Sequence, residues 1–558
     1  MLRFQKCVRS PVFLAVCIVF SISLFAELLQ ANQTTDAGKS DPRPNIFFFF
    51  ADDWGRYASI YSQYAPNRTI QTPAMDRLAR EGVCLTNAHV NSPSCTPCRS
   101  ALFSGQYFYR TGRGAILRPA IWDTDIPTFP LLLEQSGYRI GFTYKAWSPG
   151  QNPDAPIGAG RTRYNRAGGR FNQFSQNVTK MVAAGQDREA AKEELYAECL
   201  KNFEMFLADG EKSSEEKAKP FLYYFGPTNT HRAWEPGSGK ALWDMDPENL
   251  KGKLPKFLPD VPEVREDFCD YLGEALALDA VLARFIKKLE AMGELDNTVI
   301  VMSGDHGIPG FTRGKCNLYN LGTEVSLFVR WGDKVKGGRT VDDFINMMDI
   351  APTFLEIAGL TPPDCMTGRS IVPLLLSDKS GQVDATRDYV VTGRERHVET
   401  AREGLLPYPQ RSIRTKDFLY IRNFEPDRWP MGNPYHKEGG NTLEEGRATN
   451  LAQTHTTFPD MDGGPTKTWL VLNGEQPQWL QYWNYAFAKR PGEELYDLRK
   501  DPDYLVNVAE QAEYVAVRKE LSDRLMKVLT STDDPRVTGD GQTFEKAPFA
   551  GPGTIEGQ

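Results

Sequence analysis

A chain of 558 residues, 41% of them hydrophobic, can bury a large core, and its length allows more than one domain. The formal net charge of -7 excludes a general nucleic-acid binder, which carries a basic excess. Any anionic ligand would therefore need a local cluster of cations, because the field of the whole molecule does not attract it.

The chain opens with Arg3, Lys6 and Arg9 ahead of an apolar run over residues 12–29, closed by Gln30 and Ala31. This pattern predicts an export signal over residues 1–31 and a linker over 32–43. Ser21, Ser23 and Glu27 weaken the run as a permanent anchor, so cleavage is expected and no stable membrane span. The mature chain is thus expected in a periplasmic, extracellular or lysosomal-type compartment. Seven cysteines follow (Cys84, Cys95, Cys98, Cys199, Cys269, Cys316 and Cys365), and an odd number leaves at least one thiol over or chemically used. Cys95 and Cys98 form a C-x-x-C, but no second pair completes a zinc site.

Residues 45–50 are a continuous apolar run, followed by Asp52-Asp53-Trp54-Gly55, which predicts a buried strand delivering acids at its carboxyl end. Residues 72–81 have helical spacing with Pro73 near the start. Residues 221–225 form another buried strand, leading to Asn229-Thr230-His231. Residues 272–292 read as a long amphipathic helix closed by Gly293. Residues 298–302 then run into Ser303-Gly304-Asp305-His306-Gly307. Polar groups placed beyond the carboxyl ends of strands are the signature of an α/β fold with a mostly parallel sheet. A catalytic domain is expected over 44–376 and a smaller α+β subdomain over 386–535. The latter carries strand-like runs at 418–421 and 494–498 and a last helix near 515–529. Residues 536–558, rich in Gly and Pro, are expected to be a disordered tail.

One segment carries the chemistry: Cys95-Thr96-Pro97-Cys98-Arg99-Ser100-Ala101-Leu102-Phe103-Ser104-Gly105. Pro97 suits a first helical turn and Gly105 its end, which puts Cys95 at a helix N-terminus where an anion is favoured. Arg99, four residues on, can share a face with Cys95. Cys95, Pro97, Arg99, Leu102, Ser104 and Gly105 resemble the signature of the type I sulfatases. That resemblance implies an alkaline-phosphatase-like fold and a cysteine oxidised to formylglycine by a formylglycine-generating or radical maturase enzyme. Cys98 stands where serine or alanine is usual.

The resemblance extends through the chain. Asp52 and Asp53 resemble the family's first metal acids, and Asp305 and His306 its second metal pair, with Cys95 beside the ion. Hard carboxylate ligands suit calcium or magnesium better than zinc, and one calcium ion is expected. Lys145, His231 and Lys315 resemble the family's cationic residues around the sulfate, and the resemblance implies that Arg99, Lys145 and Lys315 neutralise its oxygens. Segments around Gly307-Ile308-Pro309, Asn317-Leu318-Tyr319 and Glu494-Leu495-Tyr496-Asp497 look like those of the N-sulfoglucosamine sulfohydrolase branch. Asn229-Thr230 and the stretch Arg394-Glu395-Arg396-His397 depart from it. The implied activity is removal of O- or N-sulfate from a sulfated glycan. The alternative is a phosphomonoesterase, phosphodiesterase or phosphonate hydrolase of the same superfamily. His397 and Arg411, in a cation-rich part of the C-terminal subdomain, are expected to reach the pocket rim and grip the sugar.

Overall fold

The structure, a computed structural model, describes residues 43–434 and 456–551. The expected signal peptide and nearly all of the expected linker lie outside the described residues. No helix among the described residues is long and apolar enough to cross a membrane.

Seven strands build the main sheet: β1 (Asn45–Ala51), β2 (Val83–His89), β3 (Arg139–Tyr144), β4 (Phe221–Gly226), β5 (Thr298–Gly304), β6 (Leu327–Trp331) and β7 (Arg339–Asn346). Their order is β3-β4-β1-β5-β6-β2-β7. β3, β4, β1 and β5 run parallel, β2 pairs with β7 in parallel, and only β6 is antiparallel to its neighbours β5 and β2. β1 is buried on both faces, as its unbroken apolar run requires. Phe47, Phe49 and Ala51 enter one core with Phe203, Leu272 and Phe285, while Ile46, Phe48 and Phe50 enter the other with Leu102, Phe129 and Phe354. Helices Arg188–Gly210 and Pro262–Ala291 cover the first face; Cys95–Ser104, Phe129–Gln135 and Ile350–Ile357 cover the second.

The long helix begins ten residues earlier than its apolar pattern suggests, at Pro262. Buried Arg265, Asp267 and Asp270 break the hydrophobic stripe there while serving its own contacts. Its predicted end holds: Gly293 sits at φ 72° just past the last turn.

A second sheet follows, formed by β8 (Tyr389–Arg394), β9 (Gln410–Thr415), β10 (Phe418–Asn423) and β11 (Glu493–Asp497), all antiparallel in the order β11-β10-β9-β8. Helix Val515–Ser531 lays Leu521, Leu525 and Leu529, one turn apart, against Ile413, Tyr420 and Leu495. The expected free tail is corrected as far as Gly551. Phe544, Phe549 and Ala550 are buried, and Arg536 pairs with Glu395 and Glu545.

Arg411 is likewise corrected. It is wholly buried in β9, its Nε 2.5 Å from Asp534 and its Nη2 2.8 Å from Glu395. A guanidinium with two buried carboxylates on its fork has no reach left for a sugar. Replacing it strands Asp534 away from water and leaves Glu395 to Arg536 alone. Arg411→Met should therefore cost about 3–5 kcal/mol of stability in denaturant titration, as loss of one partner of a buried ion network does. A loss below about 1 kcal/mol would mean the network is effectively solvated.

Candidate active site

Four adjacent parallel strands end at one place. β1 delivers Asp52 and Asp53, β5 delivers Asp305 and His306, β3 leads to Lys145, and the turn after β4 carries His231. The strand ends are pinned together by Asp305 N–H donating to the Ala51 carbonyl (3.0 Å) and Asp53 N–H donating to Asp305 Oδ1 (2.8 Å). Asp53 holds φ 55°, a left-handed conformation that aspartate tolerates better than most residues. Gly226 and Gly304 close β4 and β5 where space is absent. A Cβ would lie 1.9 Å from the Lys145 carbonyl oxygen at the first and 1.9 Å from that of Trp54 at the second.

The Cys95–Ser104 helix ends at Gly105, φ 65°, as its sequence predicts. Cys95 is its first residue. Ser94, at the N-cap, does not cap the helix with its side chain; its hydroxyl is 2.8 Å from His397 Nδ1. The first-turn N–H groups thus lack a side-chain cap where an anion would be welcome. Cys95 Sγ is 3.5 Å from His306 Nε2 and 3.9 Å from Asp53 Oδ1. Burial, reinforced by Asp52, pushes the Cys95 thiol well above its ordinary pKa despite Lys145 and Lys315. As a plain thiol it is a poor source of thiolate.

Arg99 is fully buried and spent on protein groups. Nε donates to Asp305 Oδ2 (2.9 Å), Nη2 to Asp52 Oδ1 (3.0 Å), and Nη1 to Tyr224 Oη (2.8 Å) and the Ala146 carbonyl (3.0 Å). It orients the acids, and its place among the groups expected around the sulfate is corrected to that role. Lys145 Nζ grips both oxygens of Asp52 at 2.7 and 2.8 Å. Lys315 Nζ lies 2.9 Å from Asp53 Oδ2. Burial opposes the Asp52 charge, but Lys145, Arg99 and His231 outweigh it and hold this carboxyl well below the usual range. At Asp305 burial prevails over His306 and Arg99, and the pKa is raised.

The metal ligands expected from sequence therefore converge. Within each of the sets Asp53-Cys95-His306, Asp52-Cys95-Asp305 and Asp52-Asp53-His231, the donor atoms lie within 4.8 Å of one another. His306 Nδ1 is 3.2 Å from the Gly307 carbonyl, so a proton placed there leaves the Nε2 lone pair facing the acids. His231 is the most open member, 38% exposed, with Nδ1 held by the Arg232 carbonyl at 2.6 Å and Nε2 3.9 Å from Asp53 Oδ2.

His397 does come to the site, through Ser94, but as a buried wall residue rather than at a rim. Arg394 and Arg396 beside it are also buried, the first on Asp460 (2.5 Å), the second on the Leu405 and Arg118 carbonyls. Asp462, which the sequence reading missed, is buried 3.3 Å from Lys315 Nζ. Its flanks, Met461 and Gly463-Gly464, carry no motif that would have exposed it. Cys84, Cys95, Cys98, Cys199, Cys269 and Cys316 are free thiols, so the C-x-x-C is not a bridge.

A family model described as Sulfatase matches residues 44–360, and one described as N-sulphoglucosamine sulphohydrolase, C-terminal, matches residues 305–431. The chain is 26% identical over 502 residues to an ulvan-active sulfatase of Formosa agariphila, covering 88% of this chain and 82% of that one. It is 25% identical over 526 residues to the N-sulphoglucosamine sulphohydrolase of Homo sapiens, covering 91% and 94%. Among solved structures, a protein in complex with its substrate D-glucosamine-2-N,6-O-disulfate superposes with a TM-score of 0.55 at 19% identity, covering 88% and 98%. The phosphonate monoester hydrolase of Agrobacterium radiobacter does so with 0.56 at 18% identity, covering 88% and 96%.

Burial, with Lys315 nearby, depresses the His397 pKa to about 3. An unfolded histidine titrates near 6.5, so between those values the unfolded chain takes up a proton that the folded chain refuses. Stability is therefore lost as pH falls through that window, by up to about 1.4 kcal/mol per pH unit. His397→Gln should remove this part of the slope, read as the difference in denaturation midpoints at pH 7 and pH 4.5 for variant and wild type. Identical slopes would show that His397 is protonated in the folded chain.

Proposed function

The chain belongs to the sulfatase family and is a sulfuric ester hydrolase; we propose that it removes O- or N-sulfate from a sulfated carbohydrate, with Cys95 converted to formylglycine and calcium in the acid cluster. One observation carries this reading. Cys95, raised in pKa as a thiol, stands at an uncapped helix start beside four metal-type ligands and two lysines. The sulfated sugars named for the relatives support a carbohydrate substrate, and conversion of Cys95 calls for a maturase partner.

The donors suit a hard divalent ion. Asp52, Asp53 and Asp305 offer carboxylate oxygens and His306 a ring nitrogen, in a buried site whose charges are already paired. Four carboxylates, counting Asp462, face the three cations Arg99, Lys145 and Lys315. A divalent ion turns that single negative excess positive, and a protonated His231 adds to it, which suits an anionic ester. When bound, the ion would supply charge neutralisation at the sulfate oxygens. Formylglycine, as the hydrated aldehyde, would supply one hydroxyl as nucleophile and another for release of sulfate.

This chain's own groups do the rest. Lys145 and Lys315 place ammonium charge around the acids, where equatorial sulfate oxygens gather. Arg99 keeps Asp52 and Asp305 in register. His231, the open member, can in its protonated form give a proton from Nε2 to the leaving oxygen or nitrogen. The likeness to a phosphonate monoester hydrolase concerns the fold, and phosphonate monoesters are also monoanions. Relative kcat/KM on an aryl sulfate and an aryl phosphonate separates the two, and the sulfate is expected to be the faster substrate.

Mass spectrometry of the peptide ending at Arg99 should show the Cys95 thiol replaced by an aldehyde. Cys95→Ala should abolish turnover, whereas Cys98→Ser should keep it. Full activity with an intact Cys95 thiol would refute the conversion. Removal of divalent ions by chelation should abolish activity and calcium should restore it; undiminished turnover after chelation would exclude the metal.

A further inference from the structure

Residues 458–467 lie beyond both matched family regions, yet they brace three site residues that come from elsewhere. Asp460 accepts from the Val398 N–H (2.9 Å), next to His397, and from Arg394 and Arg402 at 2.5 and 2.8 Å. Gly464 lies so close to Arg232, next to His231, that a Cβ would meet Nη1 at 2.3 Å. Asp267 joins the same Arg232 (2.7 Å) to the Thr466 hydroxyl (2.6 Å). Between these two anchors stands Asp462. Its Oδ2 is buried with no aligned hydrogen-bond donor, and Lys315 Nζ is its ion-pair partner at 3.3 Å.

A buried carboxylate oxygen without a donor is costly, and the backbone on both sides is already fixed without it. Lys315 is the cation nearest to it, with His231 and His397 farther off. Lys315 rests on two anions, Asp53 at 2.9 Å and Asp462 at 3.3 Å. Asp53 is also one of the acids offered to a divalent ion, so its hold on Lys315 is shared. We propose that Asp462 is a positioning residue that keeps the Lys315 ammonium over the sulfate pocket while Asp53 serves the metal. This deepens the sulfatase reading and rests on it.

The test compares Asp462→Asn, Asp462→Glu and Lys315→Met in the full chain, with calcium as the metal probe. Asp462→Asn should lower kcat on a small aryl sulfate about 10–100-fold with a smaller change in KM, and Asp462→Glu should recover part of the loss. Calcium affinity by titration calorimetry should also fall in Asp462→Asn, because Lys315 then leans on Asp53 alone and competes with the ion. In a Lys315→Met background Asp462→Asn should add no further loss of either kind. Unchanged kcat and calcium affinity, or losses that simply add in the double variant, would overturn the proposal. If wild type turned over no sulfate ester, the reading of the reaction would fail, and the calcium titrations would still decide the tether. Should Asp462→Asn fail to fold, Asp462→Glu with and without Lys315→Met makes the same comparison.

Discussion

Asp52, Asp53 and Asp305 are carboxylates gathered at the ends of two paired strands, and left alone they would repel one another. The Arg99 guanidinium is the fixed counter-charge that lets β1 and β5 end together. Its fork spans Asp52 and Asp305, and its remaining donors are taken by Tyr224 and backbone carbonyls. A lysine could neutralise one acid but could not span both in a plane. Because Arg99 is buried, the interaction also docks the Cys95–Ser104 helix against the strand ends. That docking in turn places Cys95, one turn earlier, beside His306 and Asp53.

The second sheet solves a related problem by the same means. Glu395 sits two residues before His397 and is wholly buried between Arg411 and Arg536, while Asp534 takes the other side of Arg411. Burial opposes the Glu395 charge, but the two arginines overcome it and hold the carboxyl below its ordinary pKa. Such networks are poor sources of net stability, because desolvation consumes most of the attraction. What they give here is place. The chain around residues 394–397 is fixed from behind, so that His397 meets Ser94 at the start of the Cys95–Ser104 helix. The turn at Thr543–Glu545 belongs to that arrangement through Arg536 and Glu545, which is why the tail is packed.

Much of this was legible in the sequence, and for a physical reason. A parallel strand buried on both faces must be continuously apolar, so β1, β4 and β5 announced themselves, and the polar residues just beyond them had to lie at the carboxyl edge. Cys95, Pro97 and Gly105 fixed the helix limits by local geometry. The arginines of the C-terminal part misled because charge in a sequence reads as exposure. Arg394, Arg396 and Arg411 are instead buried, each with a partner far along the chain: Asp460, the Arg118 carbonyl and Asp534, 66, 278 and 123 residues away. Asp462 was invisible for the same reason: its meaning lies in a contact with Lys315, and nothing local encodes that contact.

The same distance explains how the site divides its labour. Groups that must stay still, such as Arg99, Asp52 and Asp305, come from strand ends and the second turn of a helix, where backbone hydrogen bonds leave little freedom. Other residues of the site, His231, Lys315 and His397, come from loops that would otherwise wander. Each of those loops is braced by a carboxylate at a distance: Asp267 behind His231, Asp462 on Lys315, Asp460 behind His397. Buried acids outside the Asp52-Asp53-Asp305 cluster thus limit the motion of these loop residues. The cost is a pocket whose own charges nearly cancel. An additional positive charge then decides whether a monoanion is held, which makes affinity for the divalent ion and affinity for the sulfate ester two expressions of one balance.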